Sequence, residues 1–378
     1  MKTPRIGAIG GGQLARMMTP PAIHLGLDFK VLAEAEGSSA GLAASMVGDY
    51  NQIETVQAFA DTVDVITFDH EHVPLDVLRV IEAAGVSVQP PSKALAFAQN
   101  KLHMRKRLSE LNLPMPNWAE IKTPEELEVF IANNHGVAIL KTPIGGYDGK
   151  GVRVVRSAAD AAEWFANIDT FGGSLLAEQK VQFIGEVAQL SARTPSGEFK
   201  PWPLVETIQE NGVCSVVISP RPNTSAEMFT AAESIAATVA QGLGVTGVLA
   251  VEMFVTADGQ LLINELAMRP HNSGHFSIEG SITSQFEQHL RAVADLPLGD
   301  TSPRAGWSVM VNLLGVDDSN TFVEHFDKAM QQHPQAKLHT YGKGARKGRK
   351  MGHVTVVADN LEFALAEAKG AAAVLLQG

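Results

Sequence analysis

Short apolar runs alternate with helically spaced apolar positions through the first ninety residues. Arg5–Ile9 is apolar and strand-length, Gly10-Gly11-Gly12 follows, and Gln13–Met18 opens a helical pattern. Phe29–Ala33 and Val63–Phe68 predict a second and a third strand, Leu75–Ala84 a helix, and Val86–Gln89 a further strand. Strands that alternate with helices imply a parallel, doubly wound sheet. This block ends near Pro90-Pro91-Ser92.

From about Lys93 to Pro297 the pattern changes. A helix rich in Lys and Arg, Lys101–Leu111, is followed by Pro114 and Pro116, which break it. Thr123 is placed to cap a helix at Pro124–Asn134 with proline in its first turn. Next come strand Val137–Lys141, a glycine loop at 145–151, strand Val152–Arg156 and helix Ala158–Asn167. Strands near Leu175–Glu178 and Glu186–Arg193 precede a long helix at Ala226–Leu243. The remainder, about 298–378, reads as a small α+β cap with strands at Ser308–Leu314 and His353–Val357 and a helix at Leu361–Gly370. The expected organisation is therefore 1–92, 93–297 with a mobile lobe at about 114–177, and 298–378.

Composition narrows the class. The 378 residues allow two or three domains, and 45% apolar with 19% charged residues excludes dominant disorder. No run approaches the length a membrane span requires. The lone Cys214 excludes an intramolecular disulfide and fits a reducing compartment. A net charge of −11 argues against nucleic acid as a partner. Pro4 and the early glycines interrupt any signal-type core, so the expected location is the cytoplasm.

Five places could carry chemistry. In 248–267 two apolar runs flank Asp258-Gly259, and a turn centred there puts Glu252 opposite Glu265. Facing carboxylates repel, so a cation should sit between them. Mg²⁺ accepts such ligands together with phosphates, and Asn264 adds an oxygen. The other reading is a solvated hairpin whose register differs by one residue. The loop 145–151 lies between two strands, where backbone N–H groups can fold over phosphates with Lys141 as a point charge, or simply form a flexible turn. Arg269, His271, Asn272, Ser273 and His275 crowd one irregular loop, as a ligand site or as a hydrogen-bonded connector. The run 343–353 holds five cations and could bind one phosphorylated metabolite or be a solvated loop. Finally, Gly10–Ala15 with Glu34 outlines a dinucleotide fingerprint, which keeps an NAD(P)-dependent oxidoreductase as a rival. A nucleotide-sensing module is a third option, but it leaves Glu252, Asn264 and Glu265 with little purpose.

Taken together, GGGQLARMM, GGYDGKG, INELAMRPHNSGH and GRKMGH resemble the ATPase subunit of phosphoribosylaminoimidazole carboxylase, within the ATP-grasp superfamily. The resemblance spans nearly the whole chain. It implies an α/β and α+β architecture: a Rossmann-like N-terminal domain, an ATP-grasp core and a small C-terminal domain. The implied reaction joins ATP, bicarbonate and 5-aminoimidazole ribonucleotide through carboxyphosphate, giving the carbamate, ADP and phosphate in purine synthesis. Other carboxylate–amine ligases of the superfamily are the alternative. The resemblance also implies a homodimer and transfer of the product to a mutase.

Site roles follow from the same resemblance. Glu252 and Glu265, with Asn264, correspond to Mg²⁺ ligands. Lys101 and Lys141 would meet ATP, under a flap of Gly146, Tyr147, Asp148, Gly149, Lys150 and Gly151. Glu178, Gln179, Lys180 and Val181 would form the adenine hinge, and Glu186 would hold the ribose. Tyr147, Asp148 and Lys150 would also touch the aminoimidazole ribonucleotide, together with Glu71. Lys343 and Arg349 would grip its 5′-phosphate. Arg269, His275 and Asp148 would serve the transferred group. The chain departs from the family pattern at Lys101, Arg105, Asp69, His70, Thr207, Gln209 and Met268.

Overall fold

The computed structural model describes residues 3–145, 151–210, 212–316 and 322–377. The first domain is a parallel sheet of β1 (Arg5–Ile9), β2 (Asp28–Ala33), β3 (Ala44–Val47), β4 (Val65–Phe68) and β5 (Ser87–Val88) in the order β3-β2-β1-β4-β5. Helices α1 (Gln13–His24), α2 (Ile53–Ala60) and α3 (Leu75–Ala83) connect the strands, and α4 (Ser92–Gln99) and α5 (Lys101–Glu110) lead out of the domain. One face buries Phe59, Ile66, Phe68, Leu78 and Ile81, the other Ala8, Ala15, Val31 and Ala33. Strand β3 had no counterpart in the sequence pattern. It is a short, half-exposed edge strand with no continuous apolar run.

The lobe expected to act as a lid is an antiparallel sheet, β6 (Trp118–Ile121), β9 (Leu175–Gln179), β7 (Ala138–Lys141) and β8 (Val152–Val155) in that spatial order. It carries α6 (Pro124–Asn133), which starts in a reciprocal cap: Thr123 Oγ1 accepts the Glu126 N–H, and Glu126 returns to the Thr123 N–H. The helix expected at Ala158–Asn167 is instead a 3-10 turn, a short α7 (Ala162–Ala166) and a second 3-10 turn. No residue of α7 is buried, so nothing holds a longer helix against the sheet.

The main body is one antiparallel sheet in the order β15-β14-β10-β12-β13-β16-β18-β17, with β11 on β10. Its strands are β10 (Phe183–Arg193), β11 (Phe199–Pro201), β12 (Val205–Glu210), β13 (Val213–Ser219), β14 (Gly247–Thr256), β15 (Leu261–Ala267), β16 (Trp307–Leu314), β17 (Lys337–Thr340) and β18 (Lys350–Ala358). Strand β13 pairs with β16, so the strands after residue 298 continue the sheet begun by β10–β15. One face is covered by α8 (Ala226–Leu243), whose Ala232, Ala236, Val239 and Leu243 form a helical stripe. Farther along, α12 (Leu361–Gln377) lies on the same sheet with α11 (Phe326–Gln332) beside it. Expected to stop at Gly370, α12 runs on to Gln377 because Leu375 and its alanines are buried. Gly370 serves close packing there, since a Cβ would lie 2.5 Å from the His333 ring.

The segment after β15, with α9 (Ser277–Gly280) and α10 (Gln285–Val293), covers the opposite face and docks the first domain. His289 of α10 is the fastening. Its Nδ1 accepts the Val248 N–H at 3.0 Å, which leaves Nε2–H to donate to Thr67 Oγ1 at 2.7 Å. Burial pushes the ring down to about 3, so it is neutral. Among the described residues no helix is long and apolar enough to cross a membrane.

Candidate active site

The lid sheet meets the main sheet at β15. Strands β14 and β15 pair Glu252 directly with Glu265, as the sequence count expects. Two offsets produce that result. The loop has three residues rather than two: Thr256 pairs with Gln260, and Gly259 takes the left-handed conformation at φ +81. That slips the ladder by one, so Met253 faces Ile263. A bulge at Asn264 slips it back.

A buried chain of charges surrounds the bulge. Lys141, at the end of β7, lies 2.7 Å from Glu178 Oε2 and donates to Asn264 Oδ1 at 3.1 Å. Arg105, wholly buried, holds the other Glu178 oxygen at 2.6 Å. Burial works against the Glu178 carboxylate, but Arg105 and Lys141 outweigh it and keep it below its ordinary range. Both Glu178 oxygens are thus engaged by cations, which departs from the expected adenine-facing role for that side chain. Gln179 ends β9, and Lys180 and Val181 follow it toward β10. Lys101, at the start of α5, stands 3.8 Å from Glu265. Glu186 lies one strand in from β14, diagonal to Glu252, and burial together with that neighbour pushes it up to about 7.

The loop after β15 joins this hairpin to the first domain. Glu71 Oε1 accepts the Met268 N–H at 2.6 Å, and its Oε2 lies 3.2 Å from Arg269 Nε. His271 Nε2 lies 2.9 Å from Glu252. Gln285 pins the loop from below, bonding both the N–H and the carbonyl of His271 at 2.8 Å. Asn272 and Asn312 exchange two amide bonds of 2.8 Å, which ties the loop to β16.

His275 departs from its expected place. It is 0% exposed, with Nδ1 on Gln285 at 2.9 Å and its ring against Phe286, Tyr341 and His353. Burial holds it far below its ordinary value. A ring enclosed in that way is a core residue beneath the loop, not a group beside the transferred carbon.

The cationic run reaches the first domain. Lys343 Nζ donates to Gln13 Oε1, and Arg16 donates to the Ser39 carbonyl beside it. Burial, then Arg349 and the neighbouring Lys350 and Arg346, lower Lys343 to about 8 against the pull of Asp69. Arg349 donates to the Gly344 carbonyl at 3.1 Å, which folds the run on itself.

The glycine turn at 10–12 is already filled. Gly11 N–H donates to Glu34 at 2.9 Å, Ala15 N–H donates to Asp69 at 2.7 Å, and a Cβ at Gly12 would lie 2.0 Å from Asp69. His70 bonds Glu34 and, with the Gly11 N–H, holds it at about 2. Two carboxylates occupy the space a pyrophosphate would need, which removes the support for a dinucleotide site. Gly146, Tyr147, Asp148, Gly149 and Lys150 lie outside the described residues. At the base of that loop the Thr142 N–H bonds the Gly151 carbonyl at 2.9 Å.

Gln285, at a helix start, carried no sequence signal, and Arg105, in a basic helix, was visible only as a departure from the family pattern. Asp69 was visible only as a departure from the family pattern.

Three family models cover the chain: a ribonucleotide synthetase preATP-grasp domain at 1–99, an ATP-grasp domain at 106–286 and a phosphoribosylaminoimidazole carboxylase C-terminal domain at 308–367. The N5-carboxyaminoimidazole ribonucleotide synthase of Corynebacterium ammoniagenes is 43% identical over 376 residues, covering 98% of this chain and 91% of that one. That of Mycobacterium tuberculosis is 43% identical over 362 residues, covering 95% and 84%. The synthetase structure from Thermus thermophilus superposes with a TM-score of 0.86 at 37% identity, covering 99% of each chain. The Aspergillus clavatus structure in complex with ADP and 5-aminoimidazole ribonucleotide superposes with a TM-score of 0.89 at 32% identity, covering 99% and 98%. By its three domains and by this identity along almost its full length, the chain belongs to the N5-carboxyaminoimidazole ribonucleotide synthase family of ATP-grasp enzymes.

Proposed function

We propose that this chain is an ADP-forming ligase that carboxylates the amine of 5-aminoimidazole ribonucleotide, with ATP and bicarbonate, in purine synthesis. The observation that carries the reading is the Glu252–Glu265 pair with Asn264, set beside Lys141 and joined through His271 and Arg269 to Glu71. The donor set suits Mg²⁺, since two carboxylates and an amide oxygen are hard ligands that leave positions for phosphates. Among the described residues no group of three or more His, Cys, Asp or Glu gathers to hold a metal ion by itself. A bound Mg²⁺ would neutralise charge on the transferring phosphoryl group.

The chain's own groups do the rest. Lys141, steadied by Glu178 and Asn264, supplies a fixed cation for the phosphates. Lys101 at the start of α5 adds a second. A bicarbonate oxygen attacks the γ-phosphorus, ADP leaves, and carboxyphosphate forms. The amine nitrogen then bonds to the carboxyl carbon, either of carboxyphosphate as its C–O bond to phosphate breaks or of carbon dioxide already released with phosphate, and the amine's proton leaves on the phosphate. Arg269, held by Glu71, is assigned to that step, while Glu71 and Asp148 are assigned to the aminoimidazole. Glu186 is assigned to the ribose and the backbone of Gln179–Val181 to adenine. Lys343 and Arg349 clamp the 5′-phosphate. The flap residues 146–151 would exclude water from carboxyphosphate. A homodimer, hand-off of the labile carbamate to a mutase, and a cytoplasmic location complete the reading. These three rest on the family resemblance and, for location, on the chain having a single cysteine, Cys214.

The test is phosphate release from ATP. Release that requires both 5-aminoimidazole ribonucleotide and bicarbonate supports the ligase; release indifferent to either rejects it.

A further inference from the structure

The bulge in β15 raises a physical problem. Side chains alternate along a strand, so Asn264 and Glu265 should face opposite sides of the sheet. Here Asn264 reaches Lys141 at 3.1 Å and Glu265 lies 3.8 Å from Lys101, whose own N–H bonds the Pro143 carbonyl just past β7, so both meet cations at the root of the lid. A bulge disrupts the ladder locally and leaves the extra residue unpaired. Something outside the ladder must hold it.

That support is one side chain. Arg105 Nη1 donates to the Ile263 carbonyl at 3.0 Å and Nη2 to the Asn264 carbonyl at 2.7 Å. Its Nε donates to Glu178 at 2.6 Å. Glu178 holds Lys141, and Lys141 returns to the Asn264 side chain, so the contacts close a ring around the bulge. The Ile263 N–H is taken by the Pro114 carbonyl at 2.9 Å on the same outer edge. At 0% exposure the guanidinium reaches no reactant. Its planar fork can bridge two carbonyls and a carboxylate at once, which an ammonium on a flexible stem does not.

We propose that Arg105 is a positioning residue of this site: by clamping the Ile263 and Asn264 carbonyls it sets the bulge, and so the side on which Asn264 and Glu265 present oxygen to a divalent cation. The inference rests on the reading that Glu252, Asn264 and Glu265 hold that cation.

The test measures Mn²⁺ binding to the full chain with ADP, by the electron paramagnetic resonance signal of free Mn²⁺. Arg105→Lys keeps the charge against Glu178 and loses the fork. It is expected to weaken Mn²⁺ binding by about 10- to 100-fold, the usual effect of removing a group that orients metal ligands. ADP affinity without metal and KM for the aminoimidazole ribonucleotide should stay within about twofold of the parent, less than a tenfold loss of transition-state binding would produce. Should Arg105→Lys fail to fold, Arg105→Gln, which spares the Glu178–Lys141 pair, is judged by the same comparison. Unchanged Mn²⁺ affinity overturns the proposal, provided that Glu265→Gln loses it. An equal loss of metal-free ADP binding also overturns it, because the defect is then general. If Glu265→Gln leaves Mn²⁺ binding intact, the metal site itself is misassigned, a separate and distinguishable failure.

Discussion

Replacing Glu265 with glutamine keeps the side chain's shape and removes one of two facing charges. Two effects on the ligand-free protein oppose each other. Relief of the like-charge pair with Glu252 stabilises by about 0.2–1 kcal/mol. Loss of the Lys101 contact, 3.8 Å long and with Glu265 47% exposed, costs roughly 0–1 kcal/mol. Net stability should therefore stay within about 1 kcal/mol of the parent. The cation-dependent contribution behaves differently. With ADP present and Mg²⁺ at about 100 times its dissociation constant, a bound cation adds about 2.7 kcal/mol to the folded state. Glu265→Gln should lose all of it, and phosphate release should fall to background. Thermal unfolding with ADP, with and without Mg²⁺, reads both terms in one titration. The parent should gain a few degrees from Mg²⁺ and the variant none. A variant that keeps the full Mg²⁺-dependent gain would refute the reasoning, and so would a ligand-free variant destabilised by several kcal/mol, since Glu265 would then be structural.

Three further outcomes follow from the same geometry. Arg349→Ala should raise KM for 5-aminoimidazole ribonucleotide far more than KM for ATP; equal effects would remove Arg349 from the phosphate clamp. Lys343, lowered to about 8, must be protonated to hold that phosphate, so KM for the ribonucleotide should be flat below that pH and rise above it, up to about tenfold per unit. Lys343→Arg should abolish the inflection, and a pH-independent parent would contradict the assignment. His289 has an ordinary value of 6.5 and sits at about 3 when folded, so below 6.5 the unfolded chain takes up a proton that the folded chain refuses. Stability therefore falls as pH drops from 6.5 toward 3, by up to about 1.4 kcal/mol per unit, and is level above that window. The melting temperature of His289→Gln should show a shallower acid slope than the parent, and parallel slopes would count against it.

Much of this molecule was legible before any coordinates. Four of the first domain's five strands, with α1 and α3, follow from local periodicity, and Thr123 caps α6 as expected. The Glu252–Glu265 pairing was also reached from sequence, but through a two-residue turn that the chain does not use. The count succeeded because the three-residue loop takes Ala257 from the end of β14 and the bulge at Asn264 takes one residue from β15, so the two offsets cancel. Local patterning sees neither event, because a bulge is held by whatever lies beside the strand.

Sequence by itself determined the alternation of elements, the type of ligand atoms available and the places where acids and cations gather. Only the tertiary structure decided which charges are buried and which stand at the site. Arg105 looks like any residue of a basic helix, yet it closes on Asn264 across 159 positions and is wholly enclosed. His275 sits in a polar loop that suggests chemistry, yet it is packed among aromatic rings. Periodicity is a property of neighbours along the chain. Desolvation and charge pairing are properties of neighbours in space, and in this protein those neighbours come from all three domains.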